Sequence, residues 1–172
     1  NRFLEFARPR DPVLGEVDVA ALMADVLLMV KPLANRQECL IQVHAADRLP
    51  AVTGDRQLLS EALINLLVNA LEATPIHGTV AVTAEPDRFE MDGGETPCVR
   101  IDIRDNGQGI PEDRLNVIFE PFFTTKASGT GLGLPLVLHT IQRHGGTIRV
   151  KSETRKGTVF SLFLPARDAS PA

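Results

Sequence analysis

Asn65 and Asn69 stand four residues apart in the aliphatic stretch LINLLVNALEAT (Leu63 to Thr74). Glu61 precedes the first by four residues and Glu72 follows the second by three. On a helical wheel these four fall within an arc of about 80°. Leu59, Ala62, Leu63, Leu66, Leu67 and Ala70 fill the wider opposite side. Asn is a mediocre helix former, so two of them on one stripe of so apolar a helix point to a task. Neutral oxygens beside carboxylates suit a hard cation. Magnesium takes oxygen ligands, keeps several waters, and often binds through one side chain plus substrate phosphates.

Two glycine-rich stretches could complete such a site. DNGQGI (Asp105 to Ile110) follows a strand-like run directly. Gly107 and Gly109 permit tight turns and close approach of a flat ligand to the backbone. Ionised Asp105 only accepts hydrogen bonds, so it could read an exocyclic amine such as that of adenine; the plainer reading is a turn. SGTGLGL (Ser128 to Leu134) leads into a helix, where successive N–H groups make an anion cradle. It is neither a dinucleotide fingerprint, because Leu134 stands where the last glycine belongs, nor a Walker A loop, because no Lys-Ser or Lys-Thr follows. Between the two lies IFEPFFTTK. Its Phe119, Phe122 and Phe123 are expected as hydrophobic anchors, and Lys126 is placed to meet a phosphate.

The elements that position these residues read as follows. Residues 1–8, NRFLEFAR, have helical spacing and stop at RPRDP, whose prolines make a stiff linker. Asp18 is expected to cap a helix with apolar positions Leu22, Val26, Met29, Val30 and Leu33, and Pro32 to bend or shorten it. CLIQVHA and Thr79 to Ala84 read as strands. A long helix opens at Gly54-Asp55 and stops at Pro75. Residues 87–96, DRFEMDGGET, read as a polar hairpin loop. CVRIDIRDNG alternates and is a half-buried strand. LPLVLHTIQRHGG is a third helix with Pro135 in its first turn and Gly145 at its end. TIRVKSE and GTVFSLFLP are closing strands joined by a basic turn, and the tail after Pro165 is expected to be disordered. The whole predicts a two-layer α/β sandwich: a mixed, mainly antiparallel sheet with helices on one face.

Composition narrows the function. The chain has 172 residues, 44% apolar and 23% charged, with net charge −4. It carries no basic excess to neutralise phosphates and no Trp or Tyr for stacking on bases, which argues against nucleic-acid binding. Cys39 and Cys98 lack metal-ligand spacing and read as reduced core thiols of a cytoplasmic domain. No apolar run reaches the ~18 residues of a membrane span. The chain begins with Asn1 and is expected to be a fragment.

In this order the motifs resemble the catalytic ATP-binding domain of bacterial sensor histidine kinases, within the gyrase, chaperone, kinase and mismatch-repair superfamily. NLLVNALEA resembles the N box, DNGQGI the first glycine box, IFEPFFTTK the F box and GTGLGL the second glycine box. The wording PFFTTK…GTGLGL is most similar to the nitrogen-regulatory and zinc-response subtype. The resemblance implies a Bergerat-type fold over residues 16–165, with 1–15 the end of a dimerisation helix plus linker and 166–172 a tail. It implies ATP and Mg2+ as cofactors, with Asn69 the metal ligand and Asn65 supporting it or contacting phosphate. Asp105 would take the adenine amine, with Gly109 shaping the pocket wall and Thr158 assisting. Lys126, Thr130 and the amides of Gly131, Leu132 and Gly133 would hold the phosphates. Gly107, Ile110 and Phe122 come into the site with the boxes that contain them. Residues from about Thr124 to Gly131 would form a lid that orders on ATP binding.

Register separates kinase from hydrolase. Hydrolytic relatives carry a Glu four residues before the magnesium Asn. With Asn69 as ligand that position is Asn65, a weak base, and phosphoryl transfer to a histidine is expected, mostly by positioning and charge neutralisation. With Asn65 as ligand, Glu61 would be the base of a stand-alone ATPase. A nucleotide-binding module without transfer is the third alternative. The N box also departs from many relatives, because LEAT lacks the basic residue that usually follows; Lys126 is the expected replacement. None of His44, His77, His139 and His144 precedes an acidic residue as a phosphoacceptor would. The implied partners are a histidine-bearing dimerisation domain of the same protein and a downstream response regulator. The fragment is expected to be monomeric, the parent a homodimer, and the fragment unable to phosphorylate itself.

Overall fold

The computed structural model describes residues 11–91, 94–126 and 129–167. The helix-like stretch of residues 1–8, lid residues 127–128 and tail residues 168–172 lie outside them.

Asp18 caps α1 (Val19–Arg36) by accepting from the Ala21 N–H at 3.0 Å, a contact worth about 1 kcal/mol in a typical helix. Pro32 sits inside this helix without ending it. Val19, Leu22, Met23, Val26, Val30 and Ala34 are buried, and Leu33 packs partly buried against them. Met29, expected on the core face, is exposed together with Leu28. It lies about 80° from the centre of the buried arc on the wheel, beyond the reach of the next layer.

α2 (Arg56–Ala73) carries the asparagine stripe, and its buried face is Leu59, Ala62, Leu63, Leu66, Leu67, Ala70 and Leu71. Its cap, Asp55, is itself buried. The Asp55 carboxylate accepts from the N–H groups of Gln57 (3.0 Å), Leu58 (3.1 Å) and Val13 (2.8 Å). The Asp55 N–H donates to His144 Nε2 at 2.9 Å. His144 follows α3 (Gly133–Arg143), so this bond ties the start of one box-bearing helix to the end of the other.

The five-stranded sheet has the order β2 (Leu40–Ala45), β4 (Thr79–Met91), β5 (Gly94–Asp105), β7 (Gly157–Pro165), β6 (Thr147–Glu153). Only β2–β4 is parallel among these pairs. Short β1 (Gly15–Val17) and β3 (Val52–Gly54) form a separate antiparallel pair. Alternation places Val80, Val82, Ile101, Ile103, Phe160 and Leu162 toward the helices, where they join one buried cluster with α1, α2 and α3. The sandwich and its mainly antiparallel sheet are as the sequence predicts.

Residues 87–96 are not the predicted loop. β4 runs to Met91 and β5 starts at Gly94, with Arg88 opposite Pro97 and Phe89 opposite Thr96. The polar residues face solvent, where Arg88 pairs with Glu95 at 3.1 Å. Phe89 turns to the helix-free face and packs with Cys98 and Phe163, its ring 6.2 Å from that of Phe163. A second small core therefore extends this hairpin. Beyond Pro165, Ala166 and Arg167 still hydrogen-bond to Pro97 and Ala51, so the tail's first two residues are held.

Candidate functional site

The first glycine box ends β5 and wedges between two elements. Gln108 N–H donates to Ala73 O at 3.2 Å, at the end of α2, while Arg155 N–H donates to Gln108 O at 2.7 Å. A Cβ on Gly107 would lie 2.2 Å from Ala73 O. Gly109 has φ +69°, and a Cβ there would lie 2.1 Å from Glu153 O. Both glycines are required by close backbone approach, and Gly109 also by its left-handed conformation. Ile110 N–H donates to Ser152 Oγ at 2.7 Å. Ser152 Oγ in turn meets Thr158 Oγ1 at 2.8 Å, a link through β6 that the sequence did not single out.

Asp105 is only 5% exposed. One carboxylate oxygen accepts from Gly107 N–H (2.8 Å) and Thr158 N–H (3.3 Å). No partner among the described residues bonds its other oxygen. Burial raises the Asp105 pKa, and the two backbone hydrogen bonds oppose the rise. A fixed carboxylate with one free acceptor lobe suits an amine donor that arrives with a flat ring.

Asn65 and Asn69 are half-buried on α2, and Glu61 and Glu72 exposed. A Cβ placed on Gly133 would lie 3.8 Å from Asn65 Oδ1, so the second glycine box ends beside the first asparagine. Lys126 Nζ donates to Asn69 Oδ1 at 2.9 Å and pairs with Glu72. Glu61, about two turns before Asn69, instead accepts from Gln57 Nε2 at 3.0 Å. Asn69 Oδ1 and the Glu72 carboxylate thus already hold a cation, the ammonium. Such an oxygen pair fits magnesium binding completed by phosphates and water.

The F box and second glycine box lie back to back. Phe122 N–H donates to Gly131 O at 2.9 Å, and a Cβ on Gly131 (φ +67°) would lie 2.3 Å from the Phe122 carbonyl carbon. Phe119 and Phe123 pack on the core as expected, Phe119 edge-on to Phe160 at 6.4 Å. Phe122 does not: its φ of 68° turns the side chain outward, 61% exposed. Thr130 is exposed, Leu132 buried, and Gly131 and Gly133 between. Asp18 and Asp55 cap α1 and α2, whereas α3 starts at Leu132 without a side-chain cap. First-turn N–H groups without a side-chain cap suit an anion.

A cavity of about 620 Å³ opens elsewhere, on the helix-free face, along the cross-strand row Gln42, Ala81, Arg104, Val159 and Lys151. Asp105, Ser152, Gly157 and Thr158 are among the residues that line it, but Asn65, Asn69 and Lys126 are not. The convergence of the four boxes, not this groove, marks the candidate site. Among the described residues no group of three or more His, Cys, Asp and Glu side chains is placed to hold a metal, and no helix is long and apolar enough to cross a membrane. Cys39 and Cys98 are buried free thiols. His144 is buried, and His44, His77 and His139 are exposed.

A two-layer sandwich with this strand order and these four boxes around one helix defines a class of ATP-binding domain. The chain belongs to the histidine kinase-, DNA gyrase B-, and HSP90-like ATPase family, whose model matches residues 54–168. It is 41% identical over 165 residues to the sensor histidine kinase ZraS of Escherichia coli (strain K12), covering 96% of this chain and 34% of ZraS. The chain thus spans about a third of that relative's length. The catalytic domain of histidine kinase ThkA superposes with a TM-score of 0.76 at 31% identity, covering 89% of this chain and 95% of that one. Full-length ShkA in complex with AMPPNP superposes with a TM-score of 0.79 at 30% identity, covering 96% of this chain and 35% of ShkA.

Proposed function

We propose that residues 16–165 are the ATP-binding, phosphoryl-transferring domain of a two-component sensor histidine kinase, working in the cytoplasm. Lys126 at Asn69 carries this reading. It brings a basic group to an N box that lacks one, and it does so at Asn69, not at Asn65 and Glu61. That supports the register in which Asn69 holds Mg2+ and no carboxylate stands ready to activate water. Asp105 reads the adenine amine, with Thr158, Gly107, Gly109 and Ile110 around the ring and Phe122 at the rim. Asn65, Lys126, Thr130 and the amides of Gly131, Leu132 and Gly133 hold the phosphates. Magnesium supplies neutralisation of phosphate charge; the chain's own groups orient it.

The acceptor histidine belongs to a dimerisation domain of the same protein, to which residues 1–15 lead, and the phosphoryl group passes on to a response regulator. The parent is a homodimer and this chain by itself a monomer. Calorimetric titration tests the site. Asn69→Ala should weaken Mg2+-dependent ATP binding at least tenfold, as loss of a charge-assisted contact does, and Glu61→Ala should leave it unchanged. Steady-state phosphate release that disappears in Glu61→Ala would instead establish the hydrolase reading. Acid-labile label appearing on this chain alone from labelled ATP would refute the missing-acceptor reading.

A further inference from the structure

The ammonium of Lys126 stands between Asn69 Oδ1 and the Glu72 carboxylate. No other side chain among the described residues bonds either oxygen. Both side chains of the ion pair are well exposed, at 43% and 41%, so the pair contributes little to stability. Its consequence is occupancy. A carboxylate one turn from an amide oxygen, on the same helical stripe, attracts any hard cation in the absence of nucleotide. The lysine neutralises that carboxylate and covers the amide oxygen.

We propose that Glu72 is a further positioning residue of the site and that Lys126 is its resident cation whenever nucleotide is absent. This rests on the reading of Asn69 as the magnesium ligand. An ammonium and a divalent cation cannot share Asn69 Oδ1, because repulsion between a single and a double charge at such range exceeds thermal energy even in water. On nucleotide binding Lys126 therefore leaves Asn69 and moves to the phosphates on its flexible stem. Glu72, relieved of its partner, then faces the metal side of the site and offsets positive charge there. The exchange keeps the site close to neutral in both states and holds metal affinity low until phosphate arrives.

Mn2+ serves as the probe, with free ion measured by electron paramagnetic resonance on the nucleotide-free chain. Lys126→Ala should bind Mn2+ roughly tenfold more tightly than the unmodified chain. Lys126→Arg should keep the low affinity. Lys126→Ala with Glu72→Gln should return to it. In parallel, Lys126→Ala should narrow the preference for ATP over ADP. Both positions are exposed, and unchanged thermal midpoints would show that the variants fold. Unchanged Mn2+ affinity in Lys126→Ala, with Asn69→Ala still weakening Mg2+-dependent ATP binding, overturns the resident-cation proposal alone. Asn69→Ala with undiminished Mg2+-dependent ATP binding overturns the site reading and this proposal together.

Discussion

Asp105 on β5 and Thr158 on β7 are joined by a hydrogen bond from the Thr158 N–H to the Asp105 carboxylate at 3.3 Å. Gly157 allows it: a Cβ there would lie 2.0 Å from Asp105 O. Two strands are thus pressed together at the point where a buried carboxylate must stay aimed into the candidate site.

The burial of that carboxylate sets a pH dependence. Folding raises the Asp105 pKa above the unfolded value of about 3.9. The folded protein then binds more protons than the unfolded chain between the two values, so stability falls as pH rises through this window. The penalty is complete above the folded pKa and absent below the unfolded one. Asp105→Asn can still accept from Gly107 and Thr158 and carries no charge. Its thermal midpoint should exceed the parent's at pH 7, with the difference shrinking toward pH 4. Its ATP and ADP affinities should both fall at least tenfold, the loss expected when a charged acceptor becomes a neutral amide. Equal midpoints at all pH values would contradict the burial argument, and unchanged ADP affinity the adenine contact.

His144 Nε2 accepts from a backbone N–H, so the ring carries its proton on Nδ1, which donates to Thr140 O at 2.6 Å. Replacing it with Ala removes the side-chain acceptor of the buried Asp55 N–H and opens a cavity between α2 and α3. A loss of about 2–4 kcal/mol in urea unfolding is expected. A loss under about 0.5 kcal/mol, the scale of ordinary surface substitutions, would mean that the helix tie is not structural.

Gly109→Ala meets both a left-handed backbone and Glu153 O at 2.1 Å. It should destabilise by about 2 kcal/mol or more. Gly15→Ala meets nothing within 4 Å and should stay within about 0.5 kcal/mol of the parent. Comparing the two unfolding midpoints separates a glycine demanded by packing from one that is merely tolerated.

Burial, with Asp87 nearby adding to it, pushes the Cys98 thiol up to about 11. Because the thiolate is the reactive form, a thiol reagent at pH 8 should label Cys98 only after denaturation. Mass mapping of labelled peptides, with and without guanidinium, gives the answer; full labelling of Cys98 in the native state would rule out its buried setting.

Much of the fold was legible because its signals are local. Asp18 and Asp55 cap the helices that their sequence neighbours predict, and the two closing strands fall on TIRVKSE and GTVFSLFLP. The reading failed where a distant partner decided the outcome. Phe89 makes a strand of the supposed loop because Cys98 and Phe163 are there to receive it. Phe122 is outside the core because Gly131 pins its backbone in a left-handed turn, which no composition of the F box announces. Met29 had the right spacing for the core but lay at the margin of an arc whose centre only the packed sheet defines.

The sequence by itself determined which groups are available. Two asparagines share a helical stripe, glycines stand where no side chain fits, an aspartate ends a strand, and a lysine follows the phenylalanines. These follow from residue type and from the periods of helix and strand, which act over a few residues. Only the tertiary structure decided which groups meet. Lys126 reaches Asn69 across 57 residues of chain, and Thr158 reaches Asp105 across 53. Such distances are closed by burial of the apolar face of α2 against the sheet, a non-directional force that spacing alone does not encode. The final placement of each polar group then depends on which partners that packing leaves within hydrogen-bonding range.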